Sequence, residues 1–301
     1  MNTYTCKSPV LFLTFNRLDV TKHVFSEIRK AQPPHLYFAS DGPREGRSGE
    51  KEKVQAVRDY VLDNIDWQCE VHTLLREKNL GCRDAVSGAL DWFFEHEEMG
   101  IVLEDDCLPD PTFFQFCDEL LEKYRTDTRI MCITGNNFQN GTQRGTGDYS
   151  YYFSQLNHCW GWASWRRAWR TWHDANKYFD EIEKNGSNNL THNKNANTNW
   201  MHSFRNAKKG HVNTWDYTWT MANLINSGLT VTPQVNLVHN IGFGEEATHT
   251  SSGTCPESNA IPFPLKHPSY VLQDKEADDY AYLKHMGFVS VFQRIKRKLF
   301  K

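Results

Sequence analysis

Three consecutive carboxylates, Glu104, Asp105 and Asp106, interrupt the stretch GIVLEDDCLPD at residues 100–110. Side chains of like charge repel one another when they are this close, and a turn after a strand needs only one of them. Mg²⁺ and Mn²⁺ take oxygen ligands, and one or two carboxylates plus substrate phosphates complete their coordination. The last acid of a strand end is the most exposed, so we predict that Asp106 binds the metal directly.

A helix N-terminus offers a second explanation for these acids. Negative side chains before the apolar segment PTFFQF would interact favourably with the dipole of a helix that begins there. Asp110 fits the N-cap and Pro111 fits the first helical position. The helix explains Asp110 but leaves three further acids beside an apolar strand unexplained, so we favour the metal site.

Asp216 is a second candidate for chemistry, because it lies between Trp215 and Tyr217 with Trp219 nearby. Apolar surroundings raise the pKa of a carboxyl group toward the range useful to a general base. The same residue could cap the helix predicted by YTWTMANLI. The two roles are compatible, because capping needs only one of the two oxygens.

Short apolar runs alternate with segments of helical periodicity over the first 105 residues. This order predicts an α/β fold with a mainly parallel sheet and helices on both faces. In such sheets, ligands bind at the carboxyl ends of the strands. Asn16-Arg17, Asp41-Gly42 and the acid triplet each follow a strand and should therefore meet at one edge. The predicted strands are residues 9–15, 35–40, 69–75, 100–103 and 129–134.

With 301 residues, 39% of them hydrophobic, the chain can form one large domain. We expect a nucleotide-binding half at residues 1–134, a catalytic half at 135–270 that shares its core, and an extension at 271–301. Residues 185–199, NGSNNLTHNKNANTN, have almost no apolar groups and predict a surface loop. A net charge of -3 does not favour nucleic-acid binding.

No apolar run of transmembrane length is present. Eight cysteines without a C-x-x-C pair, and without a secretory signal, predict reduced thiols in a cytoplasmic protein. The tail FVSVFQRIKRKLFK places Phe288, Phe292, Ile295 and Leu299 at helical spacing among basic residues. It is either a basic amphipathic helix at the inner face of an anionic membrane or an ordinary helix docked on the domain.

Six segments, in order over roughly residues 9–250, resemble the GT-A glycosyltransferases. The resemblance is closest to the N-acetylglucosaminyltransferase I type and to bacterial transferases of surface polysaccharide synthesis. The segments are PVLFLTFNR, YFASDG, the acid triplet with its Phe-rich helix, HCWGWASWRRAW, TWDYTW and VHNIGFGEEATHT. The resemblance implies a Rossmann-like mixed sheet flanked by helices, and a hexosyl- or N-acetylhexosaminyltransferase that uses a nucleotide-diphospho-sugar.

The family resemblance also assigns roles to single residues. Asp41 would contact the uracil of a UDP-sugar, although it also fits a turn before Gly42. Asp106 and His249 would bind Mn²⁺ (or Mg²⁺), with His239 as an alternative to His249, and Asp216 would be the base of an inverting transfer. Other donor-binding residues would be Phe15, Asn16, Arg17, Arg83, Glu104 and Asp105, although Arg83 also fits a surface position.

Trp160 and Trp162 would stack on the sugar of a glycan or lipid-linked acceptor. This region is richer in Trp and Arg than the family resemblance requires, so the resemblance gives less support to its acceptor role. Two rival functions are a metal-dependent nucleotidyltransferase or phosphohydrolase, and a non-catalytic carbohydrate-binding protein. The first usually needs a second acidic cluster for a second metal, and the sequence offers none beside a strand.

Overall fold

The computed structural model describes residues 4–145, 147–186, 189–243 and 255–288. Its centre is an eight-stranded sheet in the order β3-β2-β1-β4-β8-β6-β9-β7, with a separate two-stranded ladder β10-β5. The strands are β1 Val10–Thr14, β2 His35–Ser40, β3 Glu70–Leu75, β4 Met99–Glu104, β5 Cys107–Pro109, β6 Ile130–Thr134, β7 Tyr151–Ser154, β8 Trp162–Trp165, β9 Leu229–Pro233 and β10 Val238–Asn240.

Nine helices connect and cover these strands within the described ranges. They are α1 Leu18–Ala31, α2 Glu50–Asp63, α3 Gly81–His96, α4 Thr112–Lys123, α5 Arg166–Trp169, α6 Thr171–Lys184, α7 Lys194–Lys208, α8 Asp216–Ile225 and α9 Lys275–Lys284. The buried faces of α1, α2 and α4 contribute to one apolar cluster, and those of α3 and α5–α9 to a second. Helices therefore cover both faces of the sheet.

The predicted fold class, an α/β protein with a Rossmann-like mixed sheet flanked by helices, is confirmed. Strand β1 pairs in parallel with β2 and β4, and β2 pairs in parallel with β3. Strand β8 lies antiparallel between β4 and β6. All five residues of β1 are buried, as expected of a central strand covered on both faces.

Each of the five predicted strands is present within about two residues of its predicted bounds. The prediction of a loop over residues 185–199 is wrong in its second half, because α7 begins at Lys194. The side chain of Asn193 accepts hydrogen bonds from the backbone N–H groups of Asn195 and Ala196 and so caps this helix. A composition rich in Asn therefore marked a helix start as well as a loop.

Asp110 stabilises the start of α4 as the sequence predicts: its Oδ1 accepts a hydrogen bond from the backbone N–H of Thr112 at 2.9 Å. Its three acidic neighbours take no part in this cap. The helix thus accounts for Asp110 alone.

The last described segment returns to the core. Helix α9 is capped by Asp274, and the ring of Phe288 packs 5.3 Å from that of Trp200 and 5.9 Å from that of Tyr282. The predicted basic helix lies outside the described residues apart from Phe288. No described helix is long and apolar enough to span a bilayer. Each of the eight cysteines is a free thiol.

We expect Asp118 to be the residue that holds the N-terminal segment against α4. Its buried carboxylate accepts hydrogen bonds from the backbone N–H groups of Lys7 and Ser8 and from the hydroxyl of Tyr4. Asp118→Ala leaves these donors without a partner and should lower the free energy of unfolding by roughly 2–4 kcal/mol. Denaturant titration followed by tryptophan fluorescence measures the loss.

Glu122→Ala, on the exposed side of the same helix, is the matched control. Glu122 pairs with Arg125 at the surface, and its removal should change the stability by less than about 0.5 kcal/mol. Equal losses in the two variants would contradict the role of Asp118.

Candidate functional site

A cavity of about 1030 Å³ opens at the carboxyl ends of β1, β2 and β4. It lies at the edge of the sheet where the sequence predicted a ligand site. The structure brings nine of the predicted site residues together around this one space, from both halves of the chain. They are Phe15, Asn16, Arg17, Asp41, Glu104, Asp105, Asp106, Trp160 and Asp216.

One arginine joins two of the three adjacent acids. The Nη2 atom of Arg17 lies 2.5 Å from Oδ1 of Asp105 and 2.9 Å from Oδ2 of Asp106. Strand β4 ends at Glu104, so the alternation of side chains stops there, and the next two carboxylates both reach Arg17. This contact offsets part of the repulsion within the cluster.

Burial and mutual repulsion oppose the ionisation of the acids in this cluster. Burial, and then the charges of Asp106, Asp105 and Asp216, raise the pKa of Glu104 to about 8. Burial raises the pKa of Asp105 to about 6, although the nearby Arg17 guanidinium lowers it. Burial lowers the pKa of Arg17, but its contacts with Asp105 and Asp106 outweigh burial and raise that pKa above its usual value. A further positive charge would therefore stabilise this corner of the cavity.

The acid cluster fits a divalent cation by its donor chemistry. Oδ2 of Asp105 is buried and has no hydrogen-bond partner among the described residues, which is a costly state for a carboxylate oxygen. The described part of the chain contains no group of three or more His, Cys, Asp or Glu side chains arranged to hold a metal. From the described residues, a cation here would have one or two protein ligands, and further oxygens from a ligand or water would add to its coordination.

Neither candidate histidine adds to the cluster in the described structure. His249 lies outside the described residues, so its metal role stays a prediction. His239 is in β10, and its Nδ1 lies 3.1 Å from the carbonyl oxygen of Pro256. It does not line the cavity.

Glycine at position 242 allows the chain to pass against the acid cluster. Strand β10 pairs with β5, and the backbone N–H of Ile241 donates to the carbonyl of Asp106 at 2.8 Å. A Cβ at Gly242 would lie 2.1 Å from Oδ2 of Asp106 and 2.8 Å from Nη1 of Arg17. The sequence analysis did not identify this position, which lies in the segment IGFG directly after β10.

The carboxylate of Asp41 is hydrogen-bonded to the loop that precedes α3. Its carboxylate accepts hydrogen bonds from the backbone N–H groups of Gly42, Leu80 and Gly81 at 2.9–3.2 Å and from Nδ2 of Asn79 at 2.9 Å. Burial raises its pKa, and these donors oppose the rise. Asp41 therefore shapes the cavity wall, and a contact with a nucleobase would compete with bonds it already makes.

A group of basic residues on the same wall was missed by the sequence analysis. The guanidinium of Arg44 lies over the ring of Phe15, 5.5 Å from its centroid. Glu50 fixes this arrangement, because it accepts hydrogen bonds from the backbone N–H of Arg44 at 2.7 Å and from Nδ2 of Asn16 at 3.1 Å. Other cations that line this wall are Arg47, Lys53 and Arg76. The available signal was the glycine-punctuated, arginine-bearing turn GPREGRSG after β2.

Asp216 and Trp160 also line the cavity. Asp216 is the first residue of α8 and accepts a hydrogen bond from the hydroxyl of Thr214. Trp160 meets Phe243 edge-on, with 5.7 Å between ring centroids. Burial, and then the charges of Glu104 and Asp216, raise the pKa of Cys82, another lining residue, to about 12. Cys82 is therefore a neutral thiol at physiological pH.

Two predicted site residues, Trp162 and Arg83, do not line the cavity. Trp162 is 1% exposed and packs 5.5 Å from Trp215 and 5.7 Å from Trp219, so its predicted stacking on an acceptor sugar is corrected to a core role. Arg83 does not line the cavity; its half-exposed side chain pairs with Asp84 at 2.8 Å. The predicted donor contact of Arg83 is corrected to a surface ion pair.

No protein-family model and no curated protein matches the chain. Among solved structures, the mannosyltransferase PcManGT from Pyrobaculum calidifontis, in complex with GDP-Man and Mn²⁺, is 14% identical with a TM-score of 0.34. That match covers 55% of this chain and 46% of that chain. Residues 1–349 of S. aureus TarS are 10% identical with a TM-score of 0.41, and the match covers 77% and 59%.

An apo UDP-glucose pyrophosphorylase is also 10% identical, with a TM-score of 0.39 and coverage of 78% of this chain and 93% of that chain. The chain thus spans about half of the mannosyltransferase and about three fifths of the TarS structure. Similarity at this level assigns no activity, substrate or metal to this chain.

Gly242→Ala should destabilise the protein by roughly 1–3 kcal/mol, because the added methyl group overlaps Asp106 and forces the Arg17 contact apart. Gly88→Ala in α3 is the control: its methyl group would meet only the flexible end of Arg76, and alanine favours a helix interior. Thermal unfolding of both variants tests this. If Gly242→Ala is as stable as the wild-type protein, the prediction is wrong and the acid cluster has room to move.

Proposed function

We propose that the protein is a metal-dependent GT-A glycosyltransferase. It would move a sugar from a nucleotide-diphospho-sugar, with UDP as the nucleotide, to a glycan or lipid-linked acceptor in bacterial surface polysaccharide synthesis. The observation that carries the proposal is a single cavity that combines an Arg17-bridged acid cluster, a basic wall and Asp216. The family resemblance of the sequence supports the glycosyl acceptor and the pathway.

The donor would bind across the cation-rich wall and the acid cluster. Arg17 presents a guanidinium to the diphosphate, which matches phosphate oxygens well. Asp106, and Asp105 through its unpartnered oxygen, would hold Mn²⁺ or Mg²⁺. When bound, the cation neutralises charge on the departing nucleoside diphosphate. Phe15, with Arg44 over its ring, offers an aromatic surface for the nucleobase.

Asp216 would accept the proton of the attacking acceptor hydroxyl, which gives transfer with inversion. Its position at the start of α8, on the lining of the same cavity, suits a group that acts on the sugar end of the donor. Trp160 would pack against a sugar face, because C–H-rich faces pack well on indole. His249 remains a proposed additional metal ligand.

UDP binding with and without Mn²⁺ tests the proposal. UDP at a hundred times its Kd should add about 2.7 kcal/mol of stability, which raises the Tm by a few degrees in differential scanning fluorimetry. The rise should require Mn²⁺ and should be absent in Asp106→Ala. Asp216→Asn should keep the metal-dependent rise but lose ~10²–10⁴-fold in transfer rate, the usual contribution of a general base.

Each rival function predicts a different result. A nucleotidyltransferase or phosphohydrolase would release pyrophosphate or phosphate from a nucleotide sugar, which a malachite-green assay detects. A binding protein would release no UDP with any acceptor. If UDP raises the Tm equally with and without Mn²⁺, and equally in Asp106→Ala, the metal assignment is wrong.

We also propose that the basic tail attaches the protein to the inner face of the membrane, next to a lipid-linked acceptor. The sequence after Phe288 contains five basic residues and no acidic residue, and each cation near an anionic surface contributes about 1 kcal/mol. Phe288 is packed on Trp200 and Tyr282, so the tail starts from a fixed point.

Flotation with lipid vesicles tests the tail. The full chain should bind vesicles that contain phosphatidylglycerol at low salt, and high salt should release it. It should not bind vesicles of phosphatidylcholine alone. A variant with Lys296, Arg297 and Lys298 changed to Glu should fold normally and fail to bind. Equal binding by this variant would show that the basic residues are not the attachment.

A further inference from the structure

Strand β3 forms one edge of the central sheet. Among the described residues, it pairs only with β2 and has no neighbour on its other side. Four of its six residues are exposed, and the two large apolar ones among them, Val71 and Leu75, are 37% and 38% exposed. An edge strand of this kind offers a row of backbone N–H and C=O groups to another strand.

The opposite edge of the sheet, β7, is covered by the chain itself. The backbone N–H of Ser150, directly before β7, donates to the carbonyl of Lys266 at 2.9 Å. The backbone N–H of Asp274 donates to the carbonyl of Phe153 at 2.8 Å. All four residues of β7 are buried. The two edges therefore differ: the chain protects β7 and leaves β3 exposed within the described ranges.

Strand β3 also has few of the features that keep natural edge strands apart, which are lysine, proline, bulges and short length. Its sequence, EVHTLL, contains neither lysine nor proline. Its register with β2 is continuous over all six residues, so it has no bulge. Its one carboxylate, Glu70, stands at the first position and contacts Nε2 of His72 at 3.0 Å. The absence of these features favours an edge that is paired in solution.

The hydrogen bonds to β2 determine which backbone groups of β3 point outward. Glu70 and Arg76 donate their backbone N–H groups to carbonyl oxygens at the start and the end of β2, at 2.9 and 3.0 Å. Backbone groups point to alternate sides along a strand, so those of Val71, Thr73 and Leu75 point away from β2.

We propose that two copies of this chain form a twofold-symmetric dimer by antiparallel pairing of their β3 strands. A twofold axis places any strand antiparallel to its own copy. The outward backbone groups match over the greatest length when Thr73 lies opposite Thr73 of the second copy. Val71 then lies opposite Leu75, and about six backbone hydrogen bonds join the two sheets.

Side-chain chemistry favours the same register. It places Glu70 of each copy opposite Arg76 of the other, and opposite charges across a strand pair are favourable. The side chain of Glu70 is 63% exposed and can reach across the axis. The apolar pair of Val71 and Leu75 adds to the contact. Because strand pairing alone is a small interface, we expect a Kd on the order of 10 µM.

Sedimentation velocity of the full chain tests the dimer. Between about 1 and 100 µM the protein should pass from monomer to dimer. Thr73→Pro removes an N–H that points away from β2, which an edge strand tolerates, and should abolish the dimer. Thr73→Val, which keeps the N–H and the β-branched shape, is the control and should dimerise as the wild type does. A wild-type chain that stays monomeric at about 100 µM overturns the proposal, as does a Thr73→Pro variant that still dimerises.

A pair of charge variants tests the register. Thr73→Lys and Thr73→Glu each place like charges opposite one another and should weaken the dimer roughly twofold to fivefold. An equimolar mixture of the two variants should dimerise more tightly than either variant alone. Thr73 is exposed, so both variants should keep the wild-type Tm at low protein concentration. If the mixture dimerises no better than its components, pairing about Thr73 is overturned.

Discussion

The repulsion among Glu104, Asp105 and Asp106 is the constraint on which the rest of the site depends. Three carboxylates at one strand end, with Asp216 close enough to raise the pKa of Glu104, are unstable without compensation. Arg17 supplies part of that compensation through two short contacts. The remaining negative charge and the unpartnered oxygen of Asp105 favour a bound cation. The charges of the site are therefore incompletely balanced, and a bound cation would improve the balance.

The sheet topology determines where each charge lies. Strands β2, β1 and β4 are parallel neighbours, so the residues that follow them meet at one edge. Strand β8 runs antiparallel to β4, so the segment before it, with Cys159 and Trp160, reaches the same edge. The start of α8 brings Asp216 from the helix layer formed by α3 and α5–α9. Basic, acidic and aromatic groups thus line a single cavity.

Much of the site could be inferred from the sequence, because its residues follow strands that are easy to recognise. Phe15, Asn16, Arg17 and the acid triplet were predicted in this way, and the cavity contains all of them. The basic group of Arg44, Arg47, Lys53 and Arg76 was missed, because its members are spread over a loop, a helix and a strand end. Trp162 was misassigned, because a tryptophan that faces a ligand and one that faces Trp215 and Trp219 have the same local sequence.

The sequence by itself determined the alternation of strands and helices, the capped start of α4 and the presence of an acid triplet at a strand end. These features depend on periodicity and neighbouring residue types, which are local properties of the chain. Only the tertiary structure decided that Arg17 bridges two acids, that the loop at residues 79–81 occupies Asp41 and that Gly242 passes against Asp106. Those contacts join residues that are distant along the chain, and their geometry comes from strand order and packing, which no local pattern encodes.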